Sequence, residues 1–348
     1  MGRNKQIRQS AAVSAALMVL LFLLPLAVIV PFREELVVRE EYVDERGDEP
    51  VLPGETDDSV LLRVLEGETV VEMTLGEYLP GVVRAEMPAS FEPEALKAQA
   101  AAARTYTMYR IASGGSHGDT AHVCTDHTCC QAYMDKETAR RNWGDRAEEY
   151  ENKIAAAVRD TDGQLILYGD EPVLAVFHAA SAGQTRPAGE VWQSDLPYLQ
   201  AVGSPEGEKA PPDYYSRAEF STKALREKLL AAFPEAELSG PAEEWLQKAA
   251  VDEAGSVRTV EVGGVTVKGT AVRAALELRS ACFTWEVKKD TVVFFVTGYG
   301  HGVGMSQYGA NAMALAGADW REILTHYYTG VTVGPWRGLN NFTNRREP

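Results

Sequence analysis

A long apolar segment near the start of the chain limits where the remainder can fold. The 22 residues from Ala11 to Phe32 carry no charge, and three basic side chains precede them. A helix rises about 1.5 Å per residue, so this segment can cross a hydrocarbon core of about 30 Å. Basic residues stay on the cytoplasmic side, which predicts a cytoplasmic tail at 1–10, a transmembrane helix at 11–32 and an exported remainder. A cleaved signal peptide is the alternative, and it exports the same remainder.

The next segment, 33–59, is strongly acidic. Between Glu34 and Asp58 there are eleven acidic and two basic side chains, together with two prolines. This composition is typical of a solvated spacer rather than of a packed element. The sequence therefore predicts an extracytoplasmic linker at 33–59, a folded domain at 60–335 and a C-terminal tail at 336–348.

Length, charge and cysteine usage exclude several classes of protein. The 348 residues are 45% hydrophobic and carry a formal net charge of −16, which is enough chain for one large or two modest domains. A nucleic-acid-binding protein needs a face rich in Lys and Arg, so this charge argues against one. Three of the four cysteines lie within seven positions, which indicates a local site rather than a disulfide framework.

Helices and strands are predicted without regular alternation, which is typical of the α+β class. Helices are predicted at Gly76–Glu86, Pro93–Ile111, Lys136–Arg159, Lys223–Phe233, Pro241–Ala249 and Ala310–Leu315. Strands are predicted at Leu61–Leu65, Thr69–Thr74, Gln164–Tyr168, Val173–His178, Tyr198–Val202, Val257–Val262, Val265–Lys268, Phe283–Val287 and Val292–Thr297.

Glu86 is the first candidate for catalytic chemistry, within R-A-E-M-P. Pro88 ends the preceding helix, so Glu86 lies in its last turn, where exposed carbonyls create partial negative charge. Val82, Val83 and Met87 surround it with apolar groups. Both effects raise the pKa of the carboxyl group, as a general acid at neutral pH requires. A surface glutamate at a frayed helix end is the alternative.

A glycine-rich run from Thr297 to Gly309 is the second candidate. Its four glycines within seven residues let the backbone approach a ligand closely, and His301, Ser306, Gln307 and Tyr308 supply hydrogen-bonding groups. No lysine follows, and the spacing matches no nucleotide-binding fingerprint. A tight structural turn is the alternative.

The third candidate is a cluster of cysteines and histidines. Six thiol or imidazole groups lie within fourteen residues, from His117 to Cys130. Cys124, Cys129 and Cys130 with one histidine would form a closed Cys3His shell, which predicts a structural zinc ion rather than a catalytic one. A disulfide such as Cys124–Cys130 is the alternative in an exported protein.

Four segments together resemble the stage II sporulation protein D family, which is related to the amidase-enhancer proteins. They are R-A-E-M-P followed by K-A-Q-A-A-A-A-R-T-Y, then V-C-T-D-H-T-C-C-Q-A-Y, F-H-A-A-S-A-G-Q-T and G-H-G-V-G-M-S-Q-Y-G-A. The resemblance implies a lytic transglycosylase that cleaves the MurNAc–GlcNAc β-1,4 bonds of peptidoglycan during sporulation engulfment and leaves 1,6-anhydro ends. It implies a glycan-binding groove and places the catalytic acid and base on Glu86.

The resemblance also implies further residues and partners. Arg104, His301, Ser306, Gln307 and Tyr308 are expected to orient sugar groups. The zinc ligands are expected to be Cys124, Cys129, Cys130 and His117, with His122 as the alternative histidine. The expected partners are peptidoglycan glycan strands, a cell-wall amidase and a membrane scaffold protein, and the expected location is the cell membrane. Two other functions remain open: a non-catalytic activator of an amidase, and a zinc hydrolase that uses the Cys/His loop.

Overall fold

The structure is a computed structural model that describes residues 55–192, 194–207 and 210–339, all within one compact unit. The predicted transmembrane helix at 11–32 and most of the predicted linker and tail lie outside these residues. Within the described ranges, no helix has both the length and the apolar composition that crossing a bilayer requires.

Helices and strands are mixed along the chain, which confirms the α+β class. The α-helices are α1 (Glu55–Asp58), α2 (Leu75–Glu86), α3 (Pro93–Ala112), α4 (Lys136–Trp143), α5 (Ala147–Asp160), α6 (Ala188–Val191), α7 (Thr222–Ala232), α8 (Gly269–Leu276), α9 (Gln307–Leu315) and α10 (Trp320–Tyr327). The strands are β1 (Leu61–Glu66), β2 (Thr69–Thr74), β3 (Val123–Cys124), β4 (Gln164–Tyr168), β5 (Glu171–Pro172), β6 (Phe177–His178), β7 (Tyr215–Ser221), β8 (Leu246–Val251), β9 (Val257–Val262), β10 (Val265–Lys268), β11 (Phe283–Lys288), β12 (Thr291–Thr297), β13 (Met305–Ser306) and β14 (Thr332–Pro335). Short 3₁₀ turns occur at Gly144–Arg146, Ala242–Glu244 and Arg337–Leu339.

The strands form several small sheets. β1 and β2 make an antiparallel hairpin, and β3 adds to β1 in parallel. The other sheets have the orders β10-β9-β8, β11-β12-β7, β14-β4-β5 and β13-β6. The β13–β6 pair is parallel and joins Ser306 to His178, so the glycine-rich run and the segment after β6 lie side by side.

The buried apolar side chains form two clusters. The first takes its members from Val60 to Leu199 and again from Val303 to Trp336. The second lies between these stretches in sequence, from Leu225 to Val296. The second cluster is thus inserted in sequence between the two parts of the first. The glycine-rich run follows the second cluster, and the first cluster resumes within this run.

Helix α3 is buried around most of its circumference. Glu92 is its N-cap and Pro93 its first residue, a position where proline lacks only an amide that would be unpaired anyway. Its central stretch from Ala98 to Ala103 is buried and consists of small residues apart from Gln99. Because alanine side chains are short, α2, α5, α9, α10 and β4 all pack against this helix.

Arg104 lies in the middle of α3 with no solvent exposure. Its Nε and Nη2 donate to the two carboxylate oxygens of Asp57 at 2.8 Å each, and further hydrogen bonds reach Thr161 and the backbone. The prediction that Arg104 orients sugar groups is wrong, because its whole side chain is enclosed and engaged. This arginine of the motif stabilises the fold through its buried ion pair with Asp57.

The Arg104 contact also moves the boundary of the folded domain. Asp57 is 3% exposed and belongs to α1, although the sequence placed it in the linker at 33–59. At the other end, Trp336 packs on the first core, although the sequence placed it in the tail at 336–348. The packed structure thus begins by residue 55 rather than at 60 and extends past 335.

Several predicted elements differ from the observed ones. The predicted helix Lys136–Arg159 is two helices, because Gly144 adopts a φ of +56° between them. The predicted helix Pro241–Ala249 is instead a short 3₁₀ turn followed by strand β8 from Leu246, since pairing with β9 overrides the helical composition. The predicted strand Tyr198–Val202 is irregular, and of the predicted strand Val173–His178 only β6 pairs. The hairpin, α2 and α3 are confirmed.

Replacing Asp57 with asparagine should lower the free energy of unfolding by about 3 kcal/mol, because it leaves the buried guanidinium of Arg104 without a countercharge. The matched control is Glu149→Gln, which breaks an exposed pair with Arg146 and should leave stability nearly unchanged, because water and salt screen such a pair. Chemical denaturation of both variants measures the difference. Equal effects would contradict a structural role for the buried pair.

Candidate active site and metal centre

Helix α2 carries Glu86 at its last position. Thr74 and Glu77 form a capping box at its start, and Met87 leaves the helix in an extended conformation, as expected before Pro88. Tyr78, Leu79, Val82 and Val83 are buried, so the helix is anchored along its inner face. Glu86 itself is partly exposed, so a ligand can reach its carboxyl group.

The carboxylate of Glu86 accepts two hydrogen bonds. The backbone amide of Ala132 donates to Oε1 at 2.8 Å, and Nε2 of Gln307 donates to Oε2 at 3.2 Å. Burial raises the pKa of Glu86, while these two hydrogen bonds and the charge of His127 oppose the rise. The net effect is a carboxyl group that keeps its proton to higher pH than an exposed glutamate does.

Gln307, the first residue of α9, joins three helices at this point. Its Nε2 lies 3.2 Å from Glu86 on α2 and 3.4 Å from Oε1 of Gln99 on α3. The side chain is 5% exposed. Its amide therefore positions Glu86, and the expected role in orienting sugars is at most secondary to that contact.

Ser306 caps helix α9 and is wholly buried. Its hydroxyl accepts from the amide of Gly309 at 3.2 Å and donates to Oε1 of Glu206 at 2.6 Å. The prediction that Ser306 binds substrate is wrong, because both hydrogen-bonding directions are used inside the protein. Glu206, which no sequence motif pointed to, is 1% exposed and also accepts from Ser204 and from the amide of Ser181.

Tyr308 remains partly exposed beside Gln307. Its ring meets the ring of Phe91 edge to face, with centroids 4.9 Å apart. Phe91 lies in the turn after α2, five residues from Glu86 in sequence, and Tyr308 directly follows Gln307. An aromatic pair of this kind can support a sugar ring, and Tyr308 stays a candidate for substrate binding.

His301 uses both of its ring nitrogens within the protein. Nε2 lies 3.0 Å from the carbonyl oxygen of Phe177, and Nδ1 accepts from the amide of Val303 at 3.1 Å. Burial lowers the pKa of His301 to about 4, so the ring is neutral at physiological pH. Both nitrogens are engaged within the protein and the ring contacts those of Trp192 and His178, so the role of His301 in orienting a sugar stays a prediction.

His178, in the F-H-A-A-S-A-G-Q-T segment, is equally engaged. Its Nδ1 lies 3.2 Å from the carbonyl oxygen of Val303, so this nitrogen carries the proton and Nε2 accepts from the hydroxyl of Ser181 at 2.7 Å. Burial lowers the pKa of His178 to about 3. The ring joins the segment after β6 to the glycine-rich run as a neutral structural group.

The four predicted metal donors lie together. One donor atom from each of His117, Cys124, Cys129 and Cys130 falls within 4.8 Å of the others. Pairing of β3 with β1 sets Cys124 opposite Leu65, and a turn in which two amides donate to the carbonyl oxygen of Asp126 brings the other two thiols back.

The spacing of these atoms fits a tetrahedral zinc ion. Sγ of Cys129 lies 3.8 Å from Sγ of Cys130 and 3.7 Å from Nε2 of His117. Zinc–sulfur bonds of about 2.3 Å put two tetrahedral ligands about 3.8 Å apart. His122 is directed elsewhere, since its Nδ1 accepts from the amide of Arg63 at 3.1 Å. All four cysteines are free thiols, so the alternative disulfide Cys124–Cys130 is not formed.

The metal-donor loop and the carboxyl group are directly connected. Ala132, whose amide binds Glu86, follows Cys130 by two residues. His127, exposed on the same loop, lies near enough for its charge to lower the pKa of Glu86. Neither contact is predictable from the sequence, because a backbone donor has no residue signature and His127 stood out only as one of three histidines in the Cys/His cluster.

Comparison with known proteins finds similar chains. A family model described as "Stage II sporulation protein" matches residues 66–168. The stage II sporulation protein D of Bacillus amyloliquefaciens is 36% identical over 330 residues, which cover 92% of this chain and 94% of that protein. The protein of the same name from Bacillus subtilis (strain 168) is 33% identical over 337 residues, covering 94% and 96%. An amidase enhancer of Bacillus subtilis (strain 168) is 28% identical over 306 residues, covering 73% of this chain and 40% of that protein.

Replacing Cys130 with serine should lower the zinc content of the purified protein and its melting temperature, because a structural site stabilises the fold that supplies its ligands. Cys282→Ser is the matched control, since Cys282 lies outside the donor cluster and should leave zinc content unchanged. Elemental analysis and thermal unfolding, with and without a chelator, measure both quantities. Full zinc content in Cys130→Ser would remove this thiol from the ligand set.

Proposed function

Because the chain belongs to the stage II sporulation protein D family, we propose that it cleaves the glycan strands of peptidoglycan as a lytic transglycosylase. One observation carries the proposal: Glu86 is partly exposed, yet burial raises the pKa of its carboxyl group. A general acid at neutral pH needs this combination of access and proton retention.

In the first step, protonated Glu86 donates its proton to the oxygen that links MurNAc to GlcNAc. The bond from that oxygen to C1 of MurNAc breaks, and positive charge develops on the sugar ring. The carboxylate that forms at Glu86 accepts hydrogen bonds from Ala132 and Gln307, which hold its two oxygens in place.

In the second step, the Glu86 carboxylate takes the proton of the C6 hydroxyl of the same MurNAc residue. The C6 oxygen then bonds to C1, which gives a 1,6-anhydro end and returns Glu86 to its protonated form. The nucleophile belongs to the substrate, so its high effective concentration replaces an activated water molecule.

The surroundings of Glu86 support a mechanism with one carboxyl group. Glycosidases that use water or a covalent intermediate place two carboxyl groups about 5–10 Å apart across the sugar. Among the described residues that hydrogen-bond Glu86 or shift its pKa, none is a second acid. The lytic reaction needs no second acid.

The metal donors support a structural role in this proposal. Three thiolates and one imidazole complete a tetrahedral shell, so a zinc ion held by them would supply no open position for water. In this proposal, His117 and the cysteines hold the loop in the conformation that places the amide of Ala132 beside Glu86. Hydrolysis by the metal is therefore not the function we propose.

The likeness to an amidase enhancer favours a second candidate, a non-catalytic glycan-binding activator of a cell-wall amidase. Both candidates place the described domain outside the membrane against peptidoglycan, with the predicted anchor at 11–32 and a membrane scaffold protein and an amidase as partners. They differ in whether the protein alone creates new glycan ends.

Glu86→Gln should lower the rate of strand cleavage by about 10²–10⁴-fold, because the amide can neither donate nor accept the transferred proton. Glu92→Gln, which alters a partly exposed acid six residues away, is the matched control and should retain activity. Mass analysis of products from purified, peptide-free glycan strands detects 1,6-anhydro ends. Wild-type rates for Glu86→Gln would refute the assignment of Glu86, and no product from the unaltered protein would favour the activator.

Gln307→Met should extend activity to higher pH. Its amide favours ionised Glu86, so removing it raises the pKa of this carboxyl further, and the protonated acid survives to higher pH. The alkaline limb of the pH profile of kcat/KM should move upward, while Gln200→Met, a change at a partly exposed glutamine bonded to Leu196, should leave it in place. A downward shift would contradict the contact.

A further inference from the structure

A recess lies beside the glycine-rich run, at the passage between the two hydrophobic clusters. Its empty volume is about 250 Å³, including the part open to solvent. Its walls come from three stretches, 180–186, 280–282 and 297–302, together with Ser256. None of its lining residues hydrogen-bonds Glu86, so the recess is a separate feature.

Arg186 is the charged side chain that lines this recess, and it is 3% exposed. Its backbone amide donates to the carbonyl oxygen of Gly302 at 2.6 Å. Gly302 has a φ of +82°, and a Cβ there would come within 3.1 Å of Cδ of Arg186. The glycine therefore lets the aliphatic part of the arginine lie against the turn, which fixes the side chain in the wall.

The guanidinium of Arg186 is incompletely paired. Within the described residues, its Nε and Nη1 are buried without a hydrogen-bond partner. Asp252 lies nearest, with Oδ2 3.5 Å from Nε, but its other oxygen is held by the amides of Ala254 and Ser256. Asp252 supplies opposite charge without a well-formed hydrogen bond. A buried donor left unpaired destabilises the fold, so this site favours an additional acceptor.

The charges around the recess indicate what kind of acceptor fits. Arg258 and Arg273 are close enough to Arg186 for repulsion, while Asp252 and Glu190 provide two negative charges. Arg258 and Glu190 pair with each other at 2.9 Å. One positive charge is left over, which suits a singly charged carboxylate better than a doubly charged phosphate. A carboxylate also matches the planar fork of a guanidinium.

We propose that the recess lined by Arg186 binds a carboxylate group of a small ligand or of a cell-wall saccharide. The carboxylate oxygens accept from the guanidinium, and Ser256 and Gln184, which line the same recess, carry further donor groups. The site stands whether or not Glu86 is catalytic, because it shares no hydrogen bond with that residue.

The test uses the full-length protein titrated with sodium acetate, with acetamide as the uncharged isostere and sodium chloride at matched ionic strength. Acetate should bind saturably by calorimetry and move the side-chain Nε–H signal of Arg186 in ¹⁵N NMR, whereas acetamide and chloride should do neither. In Arg186→Met the affinity for acetate should fall by at least about tenfold, the loss of one charged hydrogen bond. Arg217→Met, which removes an exposed arginine, should bind as the unaltered protein does.

Two further arms separate the source of the carboxylate. N-acetylmuramic acid carries a lactyl carboxylate that N-acetylglucosamine lacks, so tighter binding of the former than of acetate assigns the recess to a cell-wall saccharide. Equal binding of N-acetylmuramic acid and acetate assigns it to a free carboxylate. The proposal is overturned if acetate and acetamide act alike or if Arg186→Met keeps full affinity for acetate. It is also overturned if the Nε–H signal of Arg186 does not move when acetate is added.

Discussion

The close packing of helices around α3 fixes where α2 and α9 meet. Its buried alanines bring α2 and α9 near its axis, since no long side chain holds them away. Glu86 ends α2 and Gln307 begins α9, and these residues, 221 positions apart in sequence, are joined by a hydrogen bond of 3.2 Å. A larger side chain in the buried stretch of α3 would push α2 and α9 apart, and the hydrogen bond between Glu86 and Gln307 would then be lost even without direct contact.

The same packing explains why polar residues of the motifs face inward. Arg104 and Ser306 occupy positions that α3 and the start of α9 enclose, so their hydrogen bonds are made to Asp57, Thr161 and Glu206. A buried charge or hydroxyl must find such partners, because an unpaired one destabilises the fold. A sequence motif therefore indicates which polar side chains lie together in the fold, but it does not indicate which of them are exposed to a ligand.

What the sequence could predict follows from local rules. Pro88 ends α2 and Pro93 opens α3, and the hydrophobic alternation around Gly67 marks the first hairpin. The Cys/His spacing predicted that three thiols and one histidine form a cluster, and the resemblance selected His117, which lies beside the three thiols in the structure. The helix end at Pro88 and the apolar neighbours made Glu86 a candidate, and the resemblance implied its catalytic role.

What the sequence could not predict depends on which segments pair. β8 is a strand because it pairs with its neighbour β9, although its composition favours a helix. The environment of Arg186 includes Gly302 and Asp252, which are far from it in sequence. The amide of Ala132, which binds Glu86 46 residues away, is a backbone group and has no side-chain signature.

The chemistry of Glu86 rests on a balance between opposing effects. Burial against α3 raises the pKa of its carboxyl group, and the hydrogen bonds from Ala132 and Gln307 lower it. Burial alone would yield a carboxyl that keeps its proton and cannot serve as a base, whereas stronger hydrogen bonding would yield one that is never an acid. One of the two donors belongs to a packed helix and the other to the loop of His117 and the cysteines. In the proposed reaction, the loop would influence proton transfer only by placing this one amide beside Glu86.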